Sequence, residues 1–370
     1  MKAGWKARSL GELCHVIGGG TPSKDKAEFY SGEIPWATVR DMRSELITET
    51  ECKITSAAVK SSATNVIPSG NIVIATRVGL GKVCLLAQDT AINQDLRGIV
   101  PFDASVLAVR FLFWWLKSIS DQIVAEGTGA TVQGVKLPFV KSLQVPLPPL
   151  PEQQRIVTLL DEAFDGIATA RAHAEKNLQN ARAIFESVLD SISGENATLE
   201  KYVTIKTGKL DANAAIENGV YPFFTCAKEI YAIDNYAFDC ESILLAGNNA
   251  VGDFNVKHYK GKFNAYQRTY IIRVIDENFL SYRFLYFQML KSLRYFKEQS
   301  VGVGTKFLKL GMIKELEISL PSIAKQTEIA TMLDLLLAET QRLESLYHRK
   351  LTALDALKKS LLHQAFSGAL

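Results

Sequence analysis

A chain of 370 residues is too long for one ordinary hydrophobic core, so the sequence predicts two or more domains. A hydrophobic share of 47% and a charged share of 22% are typical of a soluble globular protein, and no apolar run is long enough to cross a membrane. The net charge is only +3, so a surface that binds nucleic acid would have to be a basic patch on one part of the protein. The N-terminus lacks the apolar segment of a signal peptide, and the five cysteines lack metal-pair spacing, so the cytoplasm is the expected compartment.

The first part of the chain has the pattern of a mixed α/β domain that leans towards β structure. Short β-rich runs at residues 71–76 and 82–86 are separated by Gly, Asn and Asp, which favour turns. An amphipathic segment with helical spacing follows at residues 111–123. The pattern recurs later, with β-rich runs at residues 242–246 and 269–274 and an amphipathic segment at residues 284–296. We therefore expect two globular domains of the α+β fold class.

The stretch Leu147–Ile156 introduces an unusually long helix. Proline is tolerated in a first helical turn, where an N–H has no partner, and the negative charge of Glu152 suits the helix dipole there. From Ile156 to Ile192, apolar residues recur every three or four positions, the period of one helical face. We predict one helix of roughly 40 residues, about 60 Å long. An apolar stripe of that length needs a long partner.

The chain repeats itself at an offset of about 173 residues, and the repeat supplies that partner as a second long helix. The matching segments and residues are Leu147–Ile156 and Leu320–Ile329, Gln153 and Gln326, Lys136-Leu137 and Lys309-Leu310, Phe111–Ile123 and Phe284–Phe296, and Asp161 and Asp334. Their shared order and nearly shared register indicate an internal duplication.

Duplicated halves of one chain often relate by a pseudo-twofold axis. Two long apolar stripes then bury each other best as an antiparallel pair with one globular domain at each end. The expected organisation is a first globular domain at residues 1–148, a first long helix at 149–194, a second domain at 195–321 and a second long helix at 322–370. The alternative is that each helix packs only on its own domain.

The sequence contains no motif of a known catalytic or metal site. The glycine-rich residues 18–20 do not join a strand to a helix, and residues 78–82 and 301–306 lack the spacing of a phosphate-binding loop. There is no H-E-x-x-H, no Asn-Pro-Pro-aromatic motif of an amino-methyltransferase, and no histidine with a carboxylate or cysteine at ligand spacing. We expect no active site, cofactor or metal in this chain.

Basic, amide and aromatic residues alternate at residues 257–268 in the second half. Lys and Arg neutralise phosphates, and Asn, Gln and Arg can read base edges through paired hydrogen bonds. The predicted DNA-binding residues of this half are Asn248, Asn249, Lys257, Lys260, Lys262, Tyr266, Gln267, Arg268, Lys306 and Lys309. A solvated hairpin that binds nothing is the alternative interpretation.

The first half carries a corresponding set, in which Gln94 aligns with Gln267 and Lys136 with Lys309. The predicted DNA-binding residues of this half are Thr21, Ser23, Lys24, Arg40, Arg77, Lys82, Asn93, Gln94, Arg97 and Lys136. The Gly-Gly-Thr-Pro-Ser segment is also ordinary turn chemistry. Because the polar residues of the two halves are dissimilar, a DNA-binding interpretation predicts two domains that share a fold and recognise different DNA sequences.

Three motifs point to one protein family. They are Pro146–Val157 with Leu159-Leu160-Asp161, Leu10-Gly11-Glu12 with residues 18–23, and Leu361–Gly368. With these motifs and the duplication, the sequence resembles the specificity subunits of type I restriction–modification enzymes over essentially its whole length. One departure is Ala324, which stands where the first copy has Pro151, so Ser322 is expected to set the start of the second helix.

The resemblance implies two target-recognition domains and two long helices that pair as an antiparallel coiled coil, a spacer that also docks partners. It implies double-stranded DNA with a bipartite site, one half per domain, and two modification subunits as partners. Those subunits would use S-adenosylmethionine to methylate adenine, and restriction subunits would use ATP and magnesium; this chain would have no catalytic role and no membrane partner. Two alternatives remain: a methyltransferase or nuclease with built-in recognition domains, and a coiled-coil adaptor that does not bind DNA.

Overall fold

A computed structural model of the chain describes residues 4–127 and 134–370. It divides into two compact units: unit 1 comprises Met1–His173 and Lys350–Leu370, and unit 2 comprises Ala174–Arg349. Each unit contains one globular domain together with part of each of two long helices. The mixture of short helices and antiparallel-rich sheets in both domains confirms the expected α+β class.

The domain of unit 1 contains eleven strands and five short helices among its described residues. The strands are β1 (Lys6–Ser9), β2 (Cys14–Gly18), β3 (Ile34–Ala37), β4 (Leu46–Ile47), β5 (Cys52–Ile54), β6 (Asn65–Ile67), β7 (Ile72–Ala75), β8 (Val83–Leu86), β9 (Thr90–Ile92), β10 (Leu96–Pro101) and β11 (Gln144–Leu147). The helices are α1 (Leu10–Leu13), α2 (Ser56–Lys60), α3 (Val109–Ser118), α4 (Ser120–Ala125) and α5 (Leu137–Ser142), and short 3-10 turns lie at Ala27–Tyr30 and Val39–Asp41.

These strands form a five-stranded sheet in the order β2-β10-β7-β8-β4, a four-stranded sheet in the order β5-β3-β9-β6, and the pair β1-β11. The central strands of the larger sheet are buried on both faces. In β7, Ile72 and Ile74 pack into the core that contains α3, whereas Val73 and Ala75 pack into a second apolar cluster on the opposite face. This is why β7 is continuously apolar rather than alternating.

The first long helix, α6 (Leu150–Asp190), has 41 residues and confirms the predicted length. The domain of unit 2 follows with β12 (Glu195–Thr198), β13 (Val203–Thr207), β14 (Tyr221–Phe224), β15 (Tyr231–Ile233), β16 (Phe238–Ala246), β17 (Asn248–Asn249), β18 (Val256–Ala265), β19 (Thr269–Val274), α7 (Tyr282–Lys291), α8 (Leu293–Gln299), β20 (Lys306–Phe307), α9 (Leu310–Lys314) and β21 (Glu317–Leu320), with 3-10 turns at Leu199–Lys201 and Ala212–Ala214. The second long helix is α10 (Ile323–Ser367), which begins directly after Ser322 as expected.

The internal repeat is confirmed by the order of elements and by strand pairing. The order β2-β10-β7-β8 in unit 1 recurs as β13-β19-β16-β18 in a six-stranded sheet of unit 2, which continues through β14 and β15. The pair β12-β21 repeats β1-β11, and α7, α8 and α9 repeat α3, α4 and α5. One difference stands out: β18 is a single strand where unit 1 has two, β8 and β9, which belong to different sheets.

A buried glutamine attaches the start of α6 to its own domain. The Gln153 side chain has no solvent exposure. Its Oε1 accepts from the Ala108 N–H at 2.9 Å, and its Nε2 donates to the carbonyls of Val106 and Pro148, both at 2.9 Å. One side chain thereby satisfies backbone groups of the loop before α3 and of the segment before α6.

The second copy repeats this attachment despite the loss of proline at Ala324. The Gln326 side chain is also fully buried. Its Oε1 accepts from the Ser281 N–H at 3.0 Å, and its Nε2 donates to the carbonyls of Phe279 at 2.7 Å and Pro321 at 2.9 Å. The glutamine, rather than the proline, is therefore the shared structural feature of the two helix starts.

A second repeated contact lies two turns further along each long helix. The Asp161 carboxylate accepts from the Arg110 guanidinium at 3.0–3.2 Å and from the Trp114 Nε1–H at 2.7 Å. In unit 2, Asp334 accepts from Arg283 in the same way. These bonds orient each long helix against α3 or α7.

In unit 1 the two long helices run antiparallel. Near the start of α6, Arg155 Nη2 donates to the Leu370 carbonyl just beyond the end of α10, at 2.9 Å. Further along α6, Arg171 pairs with Asp355, which lies earlier in α10. Ile156, Leu160 and Phe164 of α6 share a core with Leu362 and Ala365 of α10.

In unit 2 the remaining parts of the same helices are also in contact. Arg182 of α6 pairs with Glu344 of α10. Phe185 and Leu189 of α6 share a core with Leu333 of α10. Each domain therefore packs against parts of both helices, and the alternative of each helix packing only on its own domain is wrong.

Replacing Gln153 with alanine should lower the free energy of unfolding of unit 1 by about 1–3 kcal/mol, because buried backbone groups lose their partners. All four tryptophans, Trp5, Trp36, Trp114 and Trp115, lie in this unit, so urea unfolding followed by tryptophan fluorescence reports on it directly. The exposed neighbour Gln154 provides the control, since its replacement by alanine should change stability by less than about 0.5 kcal/mol. Equal effects of the two variants would contradict the anchoring role.

Candidate nucleic-acid interface

Each domain presents one exposed glutamine in a tight turn between equivalent strands. Gln94 lies in the turn Asn93–Asp95 between β9 and β10, and Gln267 lies in the turn Tyr266–Arg268 between β18 and β19. We call these segments the glutamine turns. The alignment of Gln94 with Gln267 in the sequence therefore corresponds to the same place in the two domains.

Backbone hydrogen bonds hold the glutamine turn of unit 1 beside the entrance to α5. The Asp95 carbonyl accepts from the Thr76 N–H at 2.8 Å, and the Thr76 carbonyl accepts from the Val135 N–H at 2.9 Å. The exposed Lys136 comes next and is the N-cap residue of α5. The structure thus brings Lys136 to the same edge of the domain as Gln94.

Unit 2 builds the same arrangement from different residues. The Arg268 carbonyl accepts from the Gly247 N–H at 2.9 Å, and the Gly247 carbonyl accepts from the Leu308 N–H at 2.9 Å. The exposed Lys309 follows as the N-cap residue of α9. Lys136 and Lys309 therefore hold equivalent positions, one beside each glutamine turn.

A glycine packs behind each glutamine turn. A Cβ on Gly19 would lie 2.1 Å from the Asn93 carbonyl oxygen, and a Cβ on Gly208 would lie 2.0 Å from the Ala265 carbonyl oxygen. Both distances are far inside van der Waals contact, so only glycine allows the two backbones to approach this closely. Packing against the glutamine turn thus explains Gly19 in the glycine-rich segment at residues 18–20.

In unit 1 the glutamine turn forms one wall of a cleft of about 840 Å³. The lining includes the predicted residues Thr21, Lys24, Arg40, Asn93 and Gln94. It also includes Tyr30, Trp36, Asp41 and Asp95, which the search for basic and amide residues did not select. Asp41 and Asp95 were not predicted because a carboxylate repels phosphates, and Tyr30 and Trp36 were not predicted because they are distant in sequence from the basic clusters.

Four other predicted residues of unit 1, Ser23, Arg77, Lys82 and Arg97, lie outside the lining of this cleft. Arg77 lies 3.6 Å from the Asp95 carboxylate, so the cation is held next to the glutamine turn. Arg97 is half-buried and donates to the backbone carbonyls of Gln94 and Leu96 at 3.0 and 2.8 Å. Burial, followed by the nearby Arg77 charge, lowers the pKa of Arg97. Ser23 and Lys82 are exposed.

In unit 2 a compact basic and amide patch adjoins the glutamine turn. The Arg268 guanidinium lies over the Phe307 ring, 5.0 Å from its centroid. Phe307 pairs with Asn248 and Lys306 pairs with Asn249 in the two-stranded sheet of β17 and β20. Four of the predicted residues are therefore brought together around one aromatic ring.

The three predicted lysines of β18 have partners within the domain. Lys257 is half-buried and donates to the Ala227 carbonyl at 2.7 Å, and burial lowers its pKa. Lys260 lies 2.8 Å from the Glu241 carboxylate, and this hydrogen bond raises the pKa of Lys260. Lys262 lies over the Tyr236 ring. None of these three contacts involves Phe307 or the Arg268 side chain.

The sequence interpretation missed Asp211, whose Oδ1 accepts a hydrogen bond from Gln267 Nε2. The corresponding contact in unit 1 joins Thr21 Oγ1 to Gln94 Oε1. Thr21 and Asp211 both lie in the loop that follows the packing glycine. The sequence does not signal this correspondence, because the two side chains differ in charge and size and lie two residues after Gly19 and three residues after Gly208.

Two negative findings apply to residues 4–127 and 134–370. There, no group of three or more His, Cys, Asp or Glu side chains is placed to hold a metal ion. None of the helices in that part of the chain is both long enough and apolar enough to span a bilayer.

The sequence profile of the type I restriction modification DNA specificity domain matches residues 2–178 and 195–349. The chain belongs to this family. The matched residues contain both glutamine turns and more than half of each long helix, so the family assignment covers both copies of the repeat.

Curated relatives include three specificity subunits of type I restriction enzymes from Escherichia coli. The EcoDI subunit is 37% identical over 179 residues, which are 48% of this chain and 39% of that protein. The EcoR124I/EcoR124II subunit is 36% identical over 173 residues, 45% of this chain and 42% of that protein. The EcoprrI subunit is 25% identical over 351 residues, 88% of this chain and 86% of that protein. In the first two, less than half of the relative's length is matched.

Solved structures show the same fold along the whole chain. The HsdS subunit from Thermoanaerobacter tengcongensis superposes with a TM-score of 0.61 at 17% identity, covering 100% of this chain and 98% of that chain. A chain from a structure of type I R-M complex assembly and conformational transition gives a TM-score of 0.77 at 18% identity, covering 100% and 99%. At these identities the likeness establishes architecture only.

Replacing Gly19 with alanine should destabilise unit 1 by about 1–3 kcal/mol, because the new methyl group overlaps the backbone of the glutamine turn. Urea unfolding followed by tryptophan fluorescence measures the loss, and Trp36, whose Nε1–H donates to the Gly20 carbonyl, reports locally. Gly18→Ala is the matched control, since a Cβ there meets nothing within 4 Å, and it should stay within about 0.5 kcal/mol of the wild type. Equal stability of the two variants would contradict the packing role.

Proposed function

We propose that this chain is the DNA-recognition subunit of a type I restriction–modification system and has no catalytic role of its own. Each domain reads one half of a bipartite site in double-stranded DNA. The observation that carries the proposal is the repeated frame: both domains present a glutamine turn, a neighbouring N-cap lysine and a packing glycine at the same place. A frame that is repeated with different polar side chains is what two readers of different sequences require.

The polar groups on the two frames differ in kind. In unit 1 the glutamine turn faces a cleft whose lining includes the carboxylates of Asp41 and Asp95 as well as Arg40. In unit 2 the turn adjoins an open patch with Arg268 stacked on Phe307. The target is therefore asymmetric: two short, unlike sequences separated by a spacer that is not read.

Within each surface, charge and amide groups have separate tasks. The exposed cations Arg77, Lys82 and Lys136 of unit 1 contact phosphates and supply affinity that depends on salt concentration. The amides of Gln94 and Gln267 contact base edges in the major groove, where donors and acceptors distinguish the four base pairs. Phosphate contacts position the domain, and the amides select the sequence.

The two long helices act as an antiparallel coiled-coil spacer and as the dock for two modification subunits. In unit 2 they carry an apolar groove of about 760 Å³. Its lining includes Ile184, Met332 and Leu335, which are 56%, 49% and 70% exposed. Exposed apolar surface of this kind on a helix pair is typical of a protein-binding face.

The partners supply the chemistry of the assembled enzyme, which works in the cytoplasm. Modification subunits bring S-adenosylmethionine and methylate adenine, and restriction subunits use ATP and magnesium to cleave DNA. This chain contributes DNA binding and the attachment surface for those subunits. We also propose that the domain boundaries lie at residues 148, 194 and 321.

Exchanging residues 1–145 for the first domain of another specificity subunit should change only one half of the methylated site, because each domain reads its half independently. A methylated-base map of cells that carry the exchanged gene measures the result. A change in both halves would contradict modular recognition. Purification without any methyltransferase partner, and no DNA binding after such a partner is added, would contradict the proposed function as a whole.

Replacing Leu335 with aspartate should weaken binding of a modification subunit by about tenfold or more, because a charge would be buried in the apolar contact. Sedimentation of the mixed subunits measures the assembled fraction. Ile275→Asp is the control: Ile275 is 59% exposed and lies in the globular domain of unit 2, outside the long helices. If L335D assembled as well as I275D, the groove would not be the dock.

A further inference from the structure

The two glutamine turns differ in the side chain that holds the glutamine amide. In unit 2 the Asp211 carboxylate accepts from Gln267 Nε2, and in unit 1 the Thr21 hydroxyl is bonded to Gln94 Oε1. Both residues lie in the loop after the packing glycine, Thr21 two residues after Gly19 and Asp211 three residues after Gly208. The two contacts engage opposite ends of the glutamine amide.

The chemistry of a carboxylate allows one amide orientation in unit 2. An ionised carboxylate has no proton to donate, so Asp211 can bind only the NH₂ end of Gln267. The carbonyl Oε1 of Gln267 receives no hydrogen bond from any residue in the described part of the chain. Gln267 therefore offers its carbonyl as an acceptor, and the second hydrogen of its NH₂ group stays available as a donor.

The hydroxyl in unit 1 produces the opposite arrangement. Thr21 donates to Gln94 Oε1, and Gln94 Nε2 lies 3.5 Å from the Asp95 carboxylate. The carbonyl end of Gln94 is thus occupied inside the protein, and the NH₂ end donates one hydrogen to Asp95 and keeps its second hydrogen for a ligand. A hydroxyl can also accept, so Thr21 alone does not fix the orientation of Gln94; the Asp95 carboxylate favours this one, because it can accept only from the NH₂ end.

The turn of unit 2 keeps its shape without the Asp211 side chain. The Gln267 N–H donates to the Leu210 carbonyl at 2.8 Å, and the Tyr266 N–H donates to the Phe224 carbonyl at 2.9 Å. Gly208 packs against the same backbone. Since these bonds fix the main chain, the exposed Asp211 carboxylate acts on the orientation of the glutamine amide rather than on the fold.

We propose that Asp211 is a specificity-determining positioning residue that sets which base Gln267 reads. This inference rests on the proposed function. By holding the NH₂ end of Gln267, Asp211 directs the carbonyl to the DNA, where it accepts from an exocyclic amine, adenine N6 or cytosine N4. Guanine O6 and thymine O4 are acceptors themselves and cannot bond to this carbonyl, so they are disfavoured at that position. In unit 1 the equivalent Gln94 donates instead, to guanine or thymine.

The test uses the full chain assembled with the modification subunits of its own system and a DNA library randomised across the second half-site. In Asp211→Asn, the new amide can donate or accept, so the side-chain amide of Gln267 can adopt either orientation. The preference for an amine-bearing base should fall about tenfold at one position of the second half-site, and the first half-site should not change. Asp276→Asn removes the same charge at an exposed loop position and should leave every preference as in the wild type.

A double variant separates positioning from direct contact. Gln267→Ala should abolish the preference at that position, and adding Asp211→Asn to Gln267→Ala should change nothing further, because Asp211 acts through Gln267. A further change in base preference in the double variant would show that Asp211 touches the base itself and would overturn the proposal.

Two other results overturn it in distinguishable ways. If Asp211→Asn kept the wild-type preference at every position while the wild type selected its site, the positioning role would be wrong and DNA recognition would stand. If the wild-type complex showed no sequence preference at all, the proposed function would fail, and this inference with it.

Discussion

The structure depends on a buried amide at the start of each long helix. Gln153 and Gln326 each bond to three backbone groups, two in the loop before α3 or α7 and one in the segment before the helix itself. Because an unpaired buried amide is costly, these bonds fix where each helix leaves its domain. The bonds of Asp161 to α3 and of Asp334 to α7 then fix the direction of each long helix.

With the helices fixed, each domain presents its glutamine turn on an equivalent frame. A glycine behind the turn brings two backbones together, and the next bonds connect the turn to the N-cap lysine of α5 or α9. None of these backbone contacts uses the polar side chains that face outward. Those side chains are therefore free to vary, and the contrast between Thr21 and Asp211 is an example. A frame held by backbone bonds and glycine contacts lets a duplicated domain acquire a new target without refolding.

The repeat in the sequence predicted much of this frame but not the sheets. It located the helix starts, the correspondence of Gln94 with Gln267, and that of Lys136 with Lys309. It did not show that β18 is one strand where β8 and β9 are two, in separate sheets. Both arrangements keep the alternation of side chains along the chain, so periodicity cannot distinguish them. Strand partners distant in sequence decide the difference, such as β4 beside β8 and β6 beside β9.

By itself the sequence determined the duplication, the two long helices and the α+β class, because periodicity and repeated motifs are local properties of the chain. Only the tertiary structure decided which polar residues belong together. It placed Asn248, Lys306 and Arg268 around Phe307, whereas Lys257 bonds to the Ala227 carbonyl and Lys260 to Glu241. It also showed that Asp211 bonds to Gln267, a contact that the basic and amide pattern of the sequence does not indicate. Hydrogen bonds between loops far apart in the sequence leave no local pattern, so their partners become visible only when the strands have been assembled.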